Sequence, residues 1–114
     1  MPVLKIQTNA EIPEDIETRL LQNASAQVAE MLGKPERYVM AFIETNPYML
    51  FAGDNAPMAY LELKSIGLPG DRTGEFSDRL CKLISEQLLI PMDRIYIEFA
   101  MAERHMWGWS GGTF

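Results

Sequence analysis

The chain has 114 residues, of which 47% are hydrophobic and 23% charged, and it carries a net charge of −6 at pH 7. That length suits one domain around one core, so residues 1–114 are read as a single domain. The acidic balance argues against nucleic acid as a partner, and no apolar run approaches the roughly 20 residues of a membrane span.

The chain opens MPVLKIQTN. Residues 2–8 are expected to form a strand, and Lys5, Gln7 and Asn9 break any signal-peptide pattern. Pro2 directly behind Met1 is compatible with removal of the initiator, which would leave a secondary amine on a rigid ring. An α-amine has a pKa of about 8 in water. Burial or a nearby cation lowers it, and a neutral amine near pH 7 is a good general base. The plainer reading is that Pro2 begins a strand, where a missing N–H does little harm.

Pro13 and the acids Glu14, Asp15 and Glu17 suit a helix start. Ile16, Leu20, Ala24, Val28 and Leu32 then recur at helical spacing, and Gly33 followed by Lys34-Pro35 stops the helix. Lys34 either complements that helix end or holds a substrate carboxylate; one local cation outweighs an acidic average. Residues 38–44 (YVMAFIE) read as a strand and 46–57 as a loop. Residues 58–65 read as a third strand and 67–71 as a loop. A second helix is expected over 72–88, with Phe76, Leu80, Ile84 and Leu88 on one face, and a fourth strand over 94–101. In the tail, Trp107, Trp109 and Phe114 stand among glycines and suit either local packing or the wall of an aromatic pocket.

Other chemistry is sparse. His105 is the only histidine, so no multi-histidine metal site exists. Cys81, the only cysteine, can form no internal disulfide and reads as a half-buried, inert thiol. Together with the missing leader this points to a cytosolic address. The GDRTGEFS stretch lacks the lysine and spacing of a phosphate loop.

The element order β-α-β-β-α-β repeats internally. Glu30 and Glu86 lie 56 residues apart, as do Leu32 and Leu88, Pro35 and Pro91, and Val39 and Ile95. The expected fold is α+β: two β-α-β repeats forming a four-stranded sheet, with both helices on one face. Strand 38–44 is apolar on both sides, which predicts that other subunits cover the second face.

These pieces together resemble the macrophage migration inhibitory factor family of the tautomerase superfamily, along nearly the whole chain. The resemblance rests on MPVLKIQTN, GKPERY at 33–38, KSIG at 64–67, LCKLISEQLLIPMDRIYIEF at 80–99 and WGWSGGTF at the end. It implies a homotrimer with three sites at subunit interfaces. It also implies a chain that begins at Pro2, whose nitrogen shuttles a proton in the keto–enol tautomerisation of a phenylpyruvate-like α-keto acid. Lys34 and the backbone N–H of Ile66 would hold the carboxylate, with Ser65 beside them. Tyr38, Trp109 and Phe114 would wall the pocket, with Val3 and Trp107 at its mouth. Tyr96 would reach in from the adjacent subunit, and Glu98 stands where animal members have an asparagine near the substrate ring. No metal or organic cofactor is implied.

Three features depart from the family pattern. Met58 and Leu61 occupy the positions of a Cys-x-x-Cys pair, so no thiol–disulfide activity is expected. Glu98 should alter the preference between phenyl and hydroxyphenyl substrates. Lys64 replaces a histidine. The alternative reading is a cytokine-like signalling protein with incidental tautomerase activity, and animal members are exported without a leader. Hydration or dehalogenation at the same proline is a third reading. Such enzymes add an arginine pair, of which only Arg37, next to Tyr38, is a candidate.

Overall fold

Alternation along Val3–Thr8 defines the first strand, β1. Leu4, Ile6 and Thr8 are fully buried, while Val3, Lys5 and Gln7 between them are half-buried. Period-two burial of this kind places one edge of the pleat on a core. The same pattern runs through β3 (Ala59–Ile66), which buries Ala59, Leu61, Leu63 and Ser65. These observations come from a computed structural model that describes residues 1–114.

The sheet order is β2-β1-β3-β4, with β2 spanning Met40–Thr45 and β4 spanning Ile95–Ala102. β1 pairs parallel with β2, β3 pairs parallel with β4, and the two halves meet where β1 runs antiparallel to β3. Two helices, α1 (Glu14–Leu32) and α2 (Thr73–Leu88), supply the crossovers. Leu20, Ala24 and Val28 of α1 join Phe76, Leu80 and Ile84 of α2 in a single core cluster with Leu4, Ile6, Leu61 and Leu63. Each buried Leu, Ile, Val or Phe among them stabilises the fold by about 1.5–3 kcal/mol relative to leaving it exposed. The expected four-stranded α+β architecture is therefore present. On α1 the last buried residue is Met31, with Leu32 half-buried beside it.

The 56-residue repeat reaches into the joints. Pro35 and Pro91 each start a short 3-10 turn, Glu36–Tyr38 and Met92–Arg94. Tyr38 N–H donates to Pro35 O at 3.1 Å, and Arg94 N–H donates to Pro91 O at 2.9 Å. These turns correct the expected strand starts: Tyr38 and Arg94 lie in the turns, and the strands begin at Met40 and Ile95. Gly33 and Leu89, also 56 apart, both end their helices in the left-handed region, at φ 62° and 58°.

Opposite the helices the sheet is mixed. Lys5, Glu62 and Lys64 lie on its two middle strands, Glu98 lies on the edge strand β4, and the apolar Met40 and Tyr96 stand exposed on the two edge strands, at 61% and 64%. No helix is long and apolar enough to cross a membrane.

Candidate active site

Pro2 is buried at the head of β1, and its carbonyl accepts a hydrogen bond from Met40 N–H at 3.0 Å. That bond extends the β1–β2 ladder by one step and fixes the proline ring at the floor of a cavity of about 230 Å³. Met1, Val3, Val39 and Met40 line the same cavity. With Met1 attached, the Pro2 nitrogen is an amide without basicity. The Met1 amine is held below its ordinary value of 8.0, first by burial and then by the charge of Lys34.

The far wall is aromatic. Trp109 and Phe114 stack with centroids 5.4 Å apart and planes at 17°. Both meet the Tyr38 ring edge-on, at 5.8 and 5.9 Å. The tail can present this pair because it folds back on itself: β5 (Gly108–Trp109) pairs antiparallel with β6 (Gly112–Thr113). The two turn residues, Ser110 and Gly111, both take positive φ (52° and 82°), as a type I′ hairpin requires. Phe114 N–H donates to Trp107 O at 3.2 Å, and Arg104 Nε donates to Phe114 O at 3.0 Å. Trp107 completes the rim.

Lys34 owes its place to the end of α1. Gly33 N–H donates to Glu30 O and Lys34 N–H donates to Ala29 O, at 3.3 and 3.0 Å. This Schellman pairing needs the left-handed residue that glycine supplies at 33. Lys34 is half-buried, makes no ion pair, and its charge is felt at the chain's amine. It is not part of the cavity lining itself.

The remaining expected residues divide. Ser65 and Ile66 close β3 just past Lys64, the partner of Val3, so they lie alongside Pro2 without lining the cavity. Ser65 is fully buried and its hydroxyl donates to Ile66 O at 3.1 Å. Tyr96 and Glu98 are not brought to Pro2 within this chain, because β3 stands between β4 and β1. Tyr96 packs on Phe51 with centroids 4.6 Å apart. Glu98 accepts a 2.6 Å hydrogen bond from the Tyr60 hydroxyl, which Glu62 shares at 3.0 Å. That pairing, with Glu98 contributing most, holds the Tyr60 phenol well above its usual range.

The lining also contains Met1, Val39, Met40 and Gly108, which the sequence does not single out, and Arg37, which enters only the hydration or dehalogenation reading. Arg37 is the informative one. Its guanidinium lies over the Tyr38 ring, 4.8 Å from the centroid. The adjacent pair Arg37-Tyr38 after a proline was the available signal. Elsewhere, Cys81 is buried where half-burial was expected, because it sits among the core residues of α2, and that burial pushes its thiol up; His105 stands exposed 3.4 Å from Glu103.

The chain and its fold are similar to known proteins. The profile of the family described as macrophage migration inhibitory factor (MIF) matches residues 1–114. The chain is similar to the macrophage migration inhibitory factor homolog of Brugia malayi, 40% identical over 116 residues, covering 100% of this chain and 99% of that protein. It is 36% identical over 118 residues to the macrophage migration inhibitory factor of Mus musculus, covering 100% and 99%. Among solved structures, the macrophage migration inhibitory factor homologue from Prochlorococcus marinus superposes with a TM-score of 0.93 at 44% identity, covering 98% of each chain.

Proposed function

The chain belongs to the macrophage migration inhibitory factor family, and from that premise we propose that, once Met1 is removed, it is a cofactor-free keto–enol tautomerase of phenylpyruvate-like α-keto acids. The observation that carries this reading is the buried Pro2 at the floor of an aromatic-walled cavity, beside a lysine without an ion partner. The two causes that depress the Met1 amine, burial and Lys34, would act on a free Pro2 amine one residue further in. A depressed amine is neutral near pH 7 and can take a proton.

The reaction moves one proton between carbon and oxygen. In the keto-to-enol direction the Pro2 nitrogen takes a proton from the carbon next to the carbonyl. The electron pair of that C–H bond forms the C=C bond, and the carbonyl oxygen ends with a proton returned from Pro2. The reverse sequence ketonises an enol, and no net proton is consumed. Lys34, with Ile66 N–H, holds the substrate carboxylate so that its reacting carbon faces Pro2. Tyr38, Trp109 and Phe114 receive the aryl ring and exclude water. Tyr96 and Glu98 serve the site of a neighbouring subunit in a homotrimer. The exposed Met40 and Tyr96 on unpaired edge strands support such an assembly.

The test is the rate of phenylenolpyruvate ketonisation, followed by ultraviolet absorbance from about pH 5 to about pH 9, in protein whose mass shows that Met1 is gone. The expected rate rises through a pKa clearly below the roughly 8 of a free α-amine. A background rate in Met1-free protein rejects the enzyme and leaves a cytokine-like binding role.

A further inference from the structure

Resting on the tautomerase reading, we propose that Arg37 is a second anion-holding residue of this pocket, and that the preferred substrate is an α-keto or enol acid with a second carboxylate at its remote end.

Arg37 is the one charged side chain among the eleven residues that line the cavity. The segment Lys34-Pro35-Glu36-Arg37 sets two cations within four residues of a chain whose net charge is −6. The acids that could neutralise them are engaged elsewhere. Glu36 accepts a hydrogen bond from the Ser25 hydroxyl at 3.0 Å, and Glu30 lies 3.4 Å from Arg79. No carboxylate of the chain comes within ion-pair distance of Lys34 or Arg37. Arg37 in the lining of a largely apolar cavity, with Lys34 outside the lining but near enough to act on the chain's amine, favours anions there.

The guanidinium is also held in place. The turn that Pro35 starts sets the Arg37 backbone, and the guanidinium carbon lies over the Tyr38 ring, 4.8 Å from its centroid. A guanidinium over an aromatic ring keeps N–H donors that can bind a carboxylate through two parallel bonds. Its position selects which carboxylate. Lys34 acts at the chain's amine, where the reacting end of the substrate lies. Arg37 sits on Tyr38, the ring that meets Trp109 and Phe114, where the tail of the substrate lies.

Two substrates of similar shape separate these ends: phenylenolpyruvate, and the enol of 4-carboxyphenylpyruvate, which adds a carboxylate to the ring. Their kcat/KM values are compared in the Met1-free parent, in Arg37→Gln and in Arg37→Lys. The parent should prefer the carboxylated enol by roughly tenfold, the size of one charge-assisted contact. Arg37→Gln should bring that ratio near one, Arg37→Lys should keep part of it, and added salt should shrink it in the parent. A ratio near one in the parent, or a ratio that Arg37→Gln leaves unchanged, overturns the proposal. Turnover of phenylenolpyruvate by the parent reports on the tautomerase reading separately. If neither enol reacts, the same ratio is read from quenching of tryptophan fluorescence by phenylacetate and 4-carboxyphenylacetate. A tenfold preference lost in Arg37→Gln then supports the anion site, and equal affinities overturn it.

Discussion

The two halves of the molecule share one frame and do different work with it. Residues 56 apart occupy corresponding places, so the second half shows what the first would be without a site. Pro2 corresponds to Met58, and both are buried. Lys34 corresponds to Ile90, which is 0% exposed. Tyr38 corresponds to Arg94, and each receives a different added segment. Tyr38 takes the tail aromatics Trp109 and Phe114. Arg94 takes the 46–57 loop: it donates to Pro57 O, Phe51 O, Asp54 O and Ala56 O, and its guanidinium lies 5.3 Å from the Phe51 ring centroid. In one half the frame position is spent on packing and loop anchoring. In the other, a methionine gives way to a proline, an isoleucine to a lysine, and a cavity stays open.

The largest expected effect comes from breaking the first half at Pro2, its proposed reactive point. Pro2→Ala leaves a small residue to begin β1, so the fold should survive, with an unchanged far-ultraviolet circular dichroism spectrum. Loss of the proposed general base should lower kcat by roughly 10²-fold or more. Near-parent turnover in that variant would remove Pro2 from the mechanism. The corresponding change in the second half, Met58→Ala, should do the reverse. It removes a buried side chain and costs about 2–5 kcal/mol of stability, read from denaturant unfolding.

Next in size is the loop anchor. Arg94→Met keeps the stem but loses donors to four carbonyls of residues 51–57. The group is charged and partly exposed, so the cost should be about 2 kcal/mol. Limited proteolysis should then cut first within 46–57. Cleavage elsewhere would mean that the loop is held by something other than Arg94.

Much of this comparison is readable before any coordinates. Proline, glycine and apolar periodicity repeat at one offset, and they are the residues that fix backbone and core. What the sequence hides depends on where side chains turn. Tyr38 belongs to a turn because Pro35 O and Glu36 O capture the next N–H groups, and a β-rich run such as YVMAFIE conceals that. Arg37 reaches the cavity free because Glu36 turns to Ser25, a helix residue eleven positions earlier. Tyr96 matches a family pattern and Glu98 departs from it, yet the sheet order keeps both from the Pro2 of their own chain.

A smaller effect tests the lysine against its counterpart. Lys34→Ile installs the residue type that the second half carries at the same place. Losing one charged contact to a substrate carboxylate should raise KM by roughly tenfold, with kcat changed less. The same change removes a cation that disfavours the protonated amine. The Pro2 pKa should therefore rise, and the acid limb of the rate profile should move to higher pH. An unchanged KM together with an unmoved limb would return Lys34 to its plainer role at the helix end.

The smallest effect concerns the paired helix ends. Gly33 and Leu89 take nearly the same left-handed conformation, at φ 62° and 58°, but only one is glycine. For a residue with a Cβ that conformation costs roughly 1–2 kcal/mol. Leu89 is 85% exposed, so its side chain gives back little burial. Leu89→Gly relieves the strain but adds freedom to the unfolded chain, which offsets roughly 0.5–1 kcal/mol of the gain. The net should be a stabilisation of about 0.5 kcal/mol, seen as a higher midpoint in urea at fixed protein concentration. The converse change, Gly33→Leu, imposes the strain where the helix end also positions Lys34. It should cost about 1 kcal/mol and raise KM together, whereas Leu89→Gly should leave KM where it was. If both variants shift stability and KM alike, the two helix ends are coupled, and the division of labour between the halves is less complete than their geometry indicates.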